Sequence, residues 1–214
     1  PVWGSCDPKN PRNRRRRCAL LIEKIGRGGT TAVLVDTPAD IREQMLDANI
    51  GRLDAVLYTH DHADHTHGID DLRGIFFAMK GRIPAYMDAP TRATLLRRFE
   101  YCFQQPPGSV YPAILRAHDI EAGRAFSISG PGGQIEFMPV LQEHGEISSL
   151  GFRFGSIAYS PDVGGLPLAS APLLEGLDLW IVDALRPQPH PSHFSVRQTL
   201  EWIERLKVQR AVLT

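Results

Sequence analysis

Four of the chain's eight histidines fall between His60 and His67, in the run His60-Asp61-His62-Ala63-Asp64-His65-Thr66-His67. So many polar rings are costly to bury without partners. Metal coordination gives their nitrogens partners and accounts for the carboxylates mixed among them. Alternation along an extended segment puts His60 and His62 on one side. Asp64 and His65 then turn onto a helix start, where they can face a second ion. The competing reading is a solvated polar loop, and the apolar segment Ala55–Tyr58 leading directly into the cluster argues against it. Two divalent ions about 3.5–4 Å apart can share a water and lower its pKa enough to supply hydroxide near neutral pH. They also stabilise charge that develops on substrate oxygens. Such a site suits an ester of a carboxylic or a phosphoric acid.

A second concentration of charge is Arg14-Arg15-Arg16-Arg17. It reads either as a solvated edge or as an anion-binding rim, since guanidinium groups match phosphate bidentately. Cys6, Cys18 and Cys102 are odd in number and sparse, so they make no disulfide framework and fit a reducing cytoplasm. Lys plus Arg equals Asp plus Glu at 24 each, which gives no global attraction to nucleic acid or membrane. The longest apolar runs, such as Ala19–Ile22 and Ala32–Val35, are strand-sized and far from a membrane span. His67 reads as a neighbour of the ligands rather than one of them, His190 as a turn residue between prolines, and His118 as a surface residue. Trp3, Trp180 and Trp202 read as packing residues.

The elements that must position these groups alternate in type. Ala19–Lys24 and Thr31–Val35 read as strands joined by a hairpin turn at Gly26-Arg27-Gly28-Gly29. Ala39–Ala48 reads as a helix with Ile41, Met45 and Ala48 on one face. Ala55–Tyr58 and Ile83–Met87 are strands, and Thr91–Phe99 is a helix. From Phe126 the pattern shortens to strands over Phe126–Ile128, Gln134–Val140, Leu150–Phe154, Ile157–Tyr159 and Leu179–Val182. Ser195 and Gln198 form a capping box for a helix with the stripe Val196, Leu200, Ile203 and Leu206, and Arg210–Leu213 is the last strand. The order implies one layered α/β domain over residues 1–214. The chain begins at Pro1 and stops flush with a strand at Thr214, so native sequence is expected beyond both ends.

Thr59-His60-Asp61-His62-Ala63-Asp64-His65 resembles the signature of the metallo-β-lactamase superfamily. Later residues agree in kind and order: His144 in Gln142-Glu143-His144-Gly145, Asp162 in Tyr159-Ser160-Pro161-Asp162, and Asp36 in Val35-Asp36-Thr37. The resemblance runs from Cys18 to Thr214 and implies a four-layer αββα sandwich. It implies two metal ions, one held by His60, His62 and His144, the other by Asp64, His65 and a further histidine, with Asp162 bridging. That further histidine follows a Leu-Thr pair in the family. The chain ends at Leu213-Thr214, so the resemblance places the ligand at the next native position. Histidine and carboxylate donors accept zinc or manganese.

Within the superfamily, His193 in Pro189-His190-Pro191-Ser192-His193-Phe194 resembles the branch containing the phosphoribosyl cyclic phosphodiesterase of phosphonate breakdown. There a histidine that is not a ligand is proposed to protonate the leaving oxygen. The segment Asn13–Cys18 is similar to an arginine-rich segment of that branch. Its cysteine-rich structural zinc site is not matched, since only Cys6 stands in that region. Nothing resembles the substrate-gripping arm of the transfer-RNA 3′-processing nucleases. The reading is a cytoplasmic phosphodiesterase with His193 and Asp64 as catalytic groups and Arg14, Arg15, Arg16 and Arg17 with His193 as substrate contacts. Its partner is a small phosphodiester or nucleotide, with no membrane and no stable nucleic-acid complex; a homodimer stays open. The alternatives are a lactonase- or thioesterase-type ester hydrolase, or a non-catalytic small-molecule-binding member of the fold.

Overall fold

The computed structural model describes residues 3–214. A hairpin opens the first sheet: β1 (Leu20–Gly26) pairs antiparallel with β2 (Gly29–Val35), Gly26 opposite Gly29. The helix α1 (Ile41–Asp47) follows, then β3 (Ala55–Leu57), parallel to β2. The short α2 (Ala63–Thr66) carries the histidine cluster, and α3 (Arg73–Met79) leads to β4 (Ile83–Met87). Two helices, α4 (Ala89–Arg98) and α5 (Glu100–Phe103), precede β5 (Leu115–Asp119), which closes a five-stranded sheet in the order β1-β2-β3-β4-β5.

The second sheet is built from β6 (Phe126–Gly130), β7 (Gly133–His144), β8 (Ile147–Phe154) and β9 (Ile157–Ser160), all antiparallel neighbours. It continues in parallel through β10 (Leu179–Val182) and, after the helix α6 (Val196–Leu206), β11 (Arg210–Leu213). Its order is β11-β10-β9-β8-β7-β6.

Strand periodicity explains how the layers stack. Thr31–Val35 is buried throughout because β2 is covered on both faces. Ala32 and Leu34 point into a core with Ile41, Met45, Ile69 and Leu95 from the helical side. Val33 and Val35 point the other way, against Phe137, Leu150 and Phe152 of the second sheet. A third core packs Val140, Ala158, Trp180 and Val182 under Phe194 and Leu206. Helices, sheet, sheet, helix: the four-layer αββα sandwich is the architecture observed.

Predicted and observed elements differ in instructive places. On α6 the buried face is Thr199 and Leu206, with Trp202 and Ile203 packed behind, while Leu200 is 52% exposed. Thr199 is drawn inward because its hydroxyl donates to the Asp183 carbonyl at 2.7 Å. Ala48 likewise lies outside α1's buried face, which is Ile41 and Met45. The helix α3 and the strand β5 carry no periodic signal strong enough to separate them from loop. His118 is half-buried rather than on the surface, stacked on Tyr86 at 4.8 Å.

One end of the sandwich is closed by glycine. A Cβ on Gly26 would meet the Gly132 carbonyl at 2.5 Å, and one on Gly132 would meet the Lys24 carbonyl at 1.8 Å. The β1–β2 turn and the β6–β7 turn therefore pack backbone to backbone. Both β2 and β7 run from this closed end to the opposite edge, where Asp36 and His144 stand.

Candidate metal centre

At that opposite edge, the residues leaving β2, β3, β7, β9 and β10 converge. Asp36 follows β2, is fully buried, and adopts a left-handed backbone (φ 62°). Its carboxylate accepts from the Thr59 amide at 2.9 Å and the Thr59 hydroxyl at 2.8 Å. It also lies 2.7 Å from Nδ1 of His65. Three donors on one buried carboxylate fix the loop after β3.

The same contacts decide the tautomers. A carboxylate only accepts, so His65 carries its proton on Nδ1 and leaves the Nε2 lone pair free. The Thr59 hydroxyl, having donated to Asp36, accepts from Nδ1 of His60 at 3.0 Å. His144 directs Nδ1 at the Ser192 carbonyl, 2.7 Å away, and so must donate there. Three rings are thus held from behind, each with Nε2 facing the cleft, the arrangement of metal-binding histidines. Nε2 of His60 and of His65 are buried with no hydrogen-bond partner. Such orphaned nitrogens suit coordination of a cation.

Distances agree. With metal–nitrogen bonds of 2.0–2.1 Å, two donors on one tetrahedral ion stand about 3.3 Å apart. His62 Nδ1 and His144 Nε2 are 3.2 Å apart. One oxygen of Asp162 lies 3.5 Å from His60 Nε2, 3.5 Å from His144 Nε2 and 3.2 Å from His65 Nε2. Asp162 therefore touches both candidate sites: His60, His62, His144 and Asp162 form one group of donors within 4.8 Å of one another, and Cys18, His65 and Asp162 form another. Asp64 is exposed on the first turn of α2 and belongs to neither group. Its charge still reaches the thiol of Cys18 and the ring of His193.

Electrostatics follow the packing. Burial, reinforced by the neighbouring His65, pushes His60 down to about 2, so the ring is neutral and ready to ligate. Burial also opposes charge on His65, but Asp36 and Asp162 outweigh it and raise the ring to about 10, so a cation would have to displace the Nε2 proton to bind there. Burial works against charge on Asp162 too, and the hydrogen bond and charge of His65 overcome it, holding the carboxyl well below its ordinary range.

His193 stands beside this group, its ring 4.7 Å from that of His144. Nδ1 meets Asp183 at 2.5 Å, and this contact raises the pKa of the ring. Asp183, at the end of β10, also accepts from the Val163 amide at 3.2 Å. Together Asp162, Asp183 and His193 form a third close group. Asp183 was not singled out from sequence, although the pattern that marks Asp36, an acid immediately after a buried strand, recurs in Leu179-Trp180-Ile181-Val182-Asp183.

The arginine run is divided. Arg16 pairs with Asp47 at the end of α1. Arg15, Arg16 and Arg17 line a cleft of about 560 Å³ with Cys18, Tyr159 and Thr214, on the His65 side. Arg14 is exposed beyond them. A shallow hollow on the His62 side is lined by His67, Arg98 and Phe99, with Arg98 donating to the Asp61 carbonyl at 2.5 Å. His67 meets Phe99 edge to face and is not among the clustered donors. His190 accepts from the Ser192 amide at 3.3 Å in its turn. No helix among the described residues is long and apolar enough to cross a membrane.

Comparison with known proteins agrees with this geometry. A crystal structure described as a new diphosphatase from the PhnP family superposes with a TM-score of 0.84 at 35% identity, covering 98% of this chain and 78% of that one. Yeast PDE1 shares the fold, with a TM-score of 0.70 at 11% identity over 92% of this chain and 83% of its own. A Porphyromonas gingivalis protein described as octanoyltransferase is 29% identical over 211 residues, 97% of this chain, and the chain spans 40% of that protein's length. Residues 31–214 match the family described as beta-lactamase superfamily domain. With clustered histidines and aspartates that could hold a divalent metal, the chain belongs to the metallo-β-lactamase superfamily, in its PhnP-like branch.

Proposed function

We propose that the protein hydrolyses a small phosphodiester, cyclic or nucleotide in kind, with two divalent ions, zinc or manganese. The observation that carries this is the position of Asp162, one oxygen of which lies 3.2–3.5 Å from the Nε2 atoms of three histidines in two donor groups. His60, His62 and His144 would hold one ion, His65 and Asp64 the other, with Asp162 between them. When bound, the ions supply Lewis acidity, which lowers the pKa of a water and neutralises charge on phosphate oxygens.

The remaining work falls to the chain's own side chains. Asp36, Thr59 and Ser192 keep the ligand rings in one tautomer and one orientation. His193, charged and oriented by Asp183, donates a proton to the departing oxygen. The hollow beside Arg98 and Phe99 takes the organic part of the substrate. Arg15, Arg16 and Arg17 line the other rim, Arg16 also pairing with Asp47, and Arg14 is exposed. The relative described as a diphosphatase widens the class to esterified phosphoanhydrides, in which two of the four oxygens on phosphorus are likewise substituted.

A carboxylic ester or thioester is the second reading, favoured by the relative described as octanoyltransferase. Rates on bis(p-nitrophenyl) phosphate, a dinucleoside diphosphate and an octanoyl thioester, at fixed metal loading, separate the two. Phosphorus substrates should be preferred. Preference for the thioester would replace the first reading with the second. Nucleoside monophosphates should bind weakly as product mimics in calorimetry, and binding unchanged by chelation would place the phosphate away from the metals.

A further inference from the structure

His190 is neither among the clustered donors nor the partner of Asp183, yet its ring lies at the same edge. It is half-buried between Pro189 and Pro191, whose φ angles are fixed by their rings. Arg186 donates to the Pro189 carbonyl at 2.9 Å and closes the turn. The Ser192 amide donates to Nδ1 of His190 at 3.3 Å. An amide only donates, so Nδ1 is the unprotonated nitrogen. Nε2 therefore carries the ring proton, on the side of the ring away from Ser192. Desolvation, with Arg186 and His193 nearby, lowers the pKa of the ring and keeps it in this neutral form. Three rings step outward from the metal donors, His144 to His193 at 4.7 Å and His193 to His190 at 5.0 Å. The hollow beside Arg98 and Phe99 lies on the His62 side. A diester has two substituents, and the row from His144 to His190 lies where the departing one leaves.

We infer that His190 is a substrate-binding residue whose Nε2–H donates to a phosphoryl oxygen of the leaving group, which makes the site selective for diphosphate diesters over single-phosphate diesters. An alkyl or aryl leaving group has no anionic acceptor next to its departing oxygen. A diphosphate has one. Its second phosphorus is bonded to the oxygen that His193 meets, and carries its own oxygens one bond further along the row. Arg186 adds positive charge beside His190. Hydrolysis adds one water across the P–O–P bridge: hydroxide joins the attacked phosphorus, and the bridging oxygen leaves with the bonding pair. The inference rests on the phosphorus-ester reading of the site and names its substrate class more narrowly.

The test compares kcat/KM on a dinucleoside diphosphate and on bis(p-nitrophenyl) phosphate at equal metal loading. His190→Asn keeps a polar atom where Nδ1 stands and removes the Nε2 donor. The diphosphate preference should then fall about 10–100-fold, the contribution of one hydrogen bond to a charged group. His190→Gln places an amide donor near the Nε2 position and should keep the preference within a few-fold of the wild type. Calorimetry with a methylene-bridged dinucleoside diphosphonate, which is not cleaved, should follow the same order, and elemental analysis should find the metal content of both variants unchanged. A role confined to the turn predicts the reverse order, with Asn retaining activity and Gln losing it on both substrates alike, and that result would overturn the assignment. An unchanged preference in His190→Asn would overturn it too. Should neither variant fold, the wild type decides: diphosphonate binding no tighter than that of a single-phosphonate diester would refute the inference. A wild type active on the octanoyl thioester and inactive on both phosphorus substrates would overturn the phosphorus reading itself, and this inference with it.

Discussion

Removing the imidazole of His193 separates proton donation from metal chemistry. Nδ1 is committed to Asp183 at 2.5 Å, so Nε2 is the nitrogen available to substrate. Asp183, itself 5% exposed, raises the pKa of the ring, so the ring carries its proton at higher pH than an ordinary histidine. General acid catalysis contributes about 10²–10⁴-fold, or roughly 3–5.5 kcal/mol of barrier. His193→Ala should lower kcat by that order on an alkyl phosphodiester, whose leaving oxygen needs a proton. With a p-nitrophenyl diester, which departs unaided, the loss should be small. Both rates are measured at equal metal loading, and elemental analysis should find the metal content unchanged. Equal losses on the two substrates would mean that His193 only packs the turn before α6. Loss of one metal equivalent would make it a ligand.

Asp183→Asn should retain metal and shift the alkaline fall of kcat to lower pH, because the donor form of His193 is lost as pH rises through a pKa that Asp183 raises; an unmoved alkaline limb in the rate profile would remove Asp183 from this role. Elemental analysis of chelator-free preparations should approach two equivalents per chain, and one equivalent that does not rise with added Zn²⁺ or Mn²⁺ would contradict the dinuclear reading. Asp36→Asn should weaken metal affinity about 10–100-fold by releasing Thr59 and His65, read by competition with a chromophoric chelator. Chelation should lower Tm, since His60 and His65 then keep buried nitrogens without partners. Gly132→Ala should cost about 1–3 kcal/mol or more, measured by denaturant unfolding, because its Cβ would meet backbone at 1.8 Å.

The histidine cluster was legible because metal ligands demand rare residue types at fixed spacing, and strand termini leave a sharp apolar edge beside them. Strands such as β4 and β10 were legible at their observed limits because buried β-segments are short apolar runs. The capping box at Ser195 was legible because it is local, both halves lying within one helical turn. Contacts between distant segments were not. Asp183 and His193 are ten residues apart and meet only because β10 and the turn before α6 end at the same edge. The sulfur of Cys18 comes within 4.8 Å of His65 and Asp162 only in the folded chain. Arg16 looked like its three neighbours until its pairing with Asp47 set it apart. Local sequence specifies the type of each donor and the element that carries it. Which donors share one ion is decided by how two sheets stack, because donor groups must agree within a few tenths of an ångström and only the packed cores between and around the sheets hold them so closely.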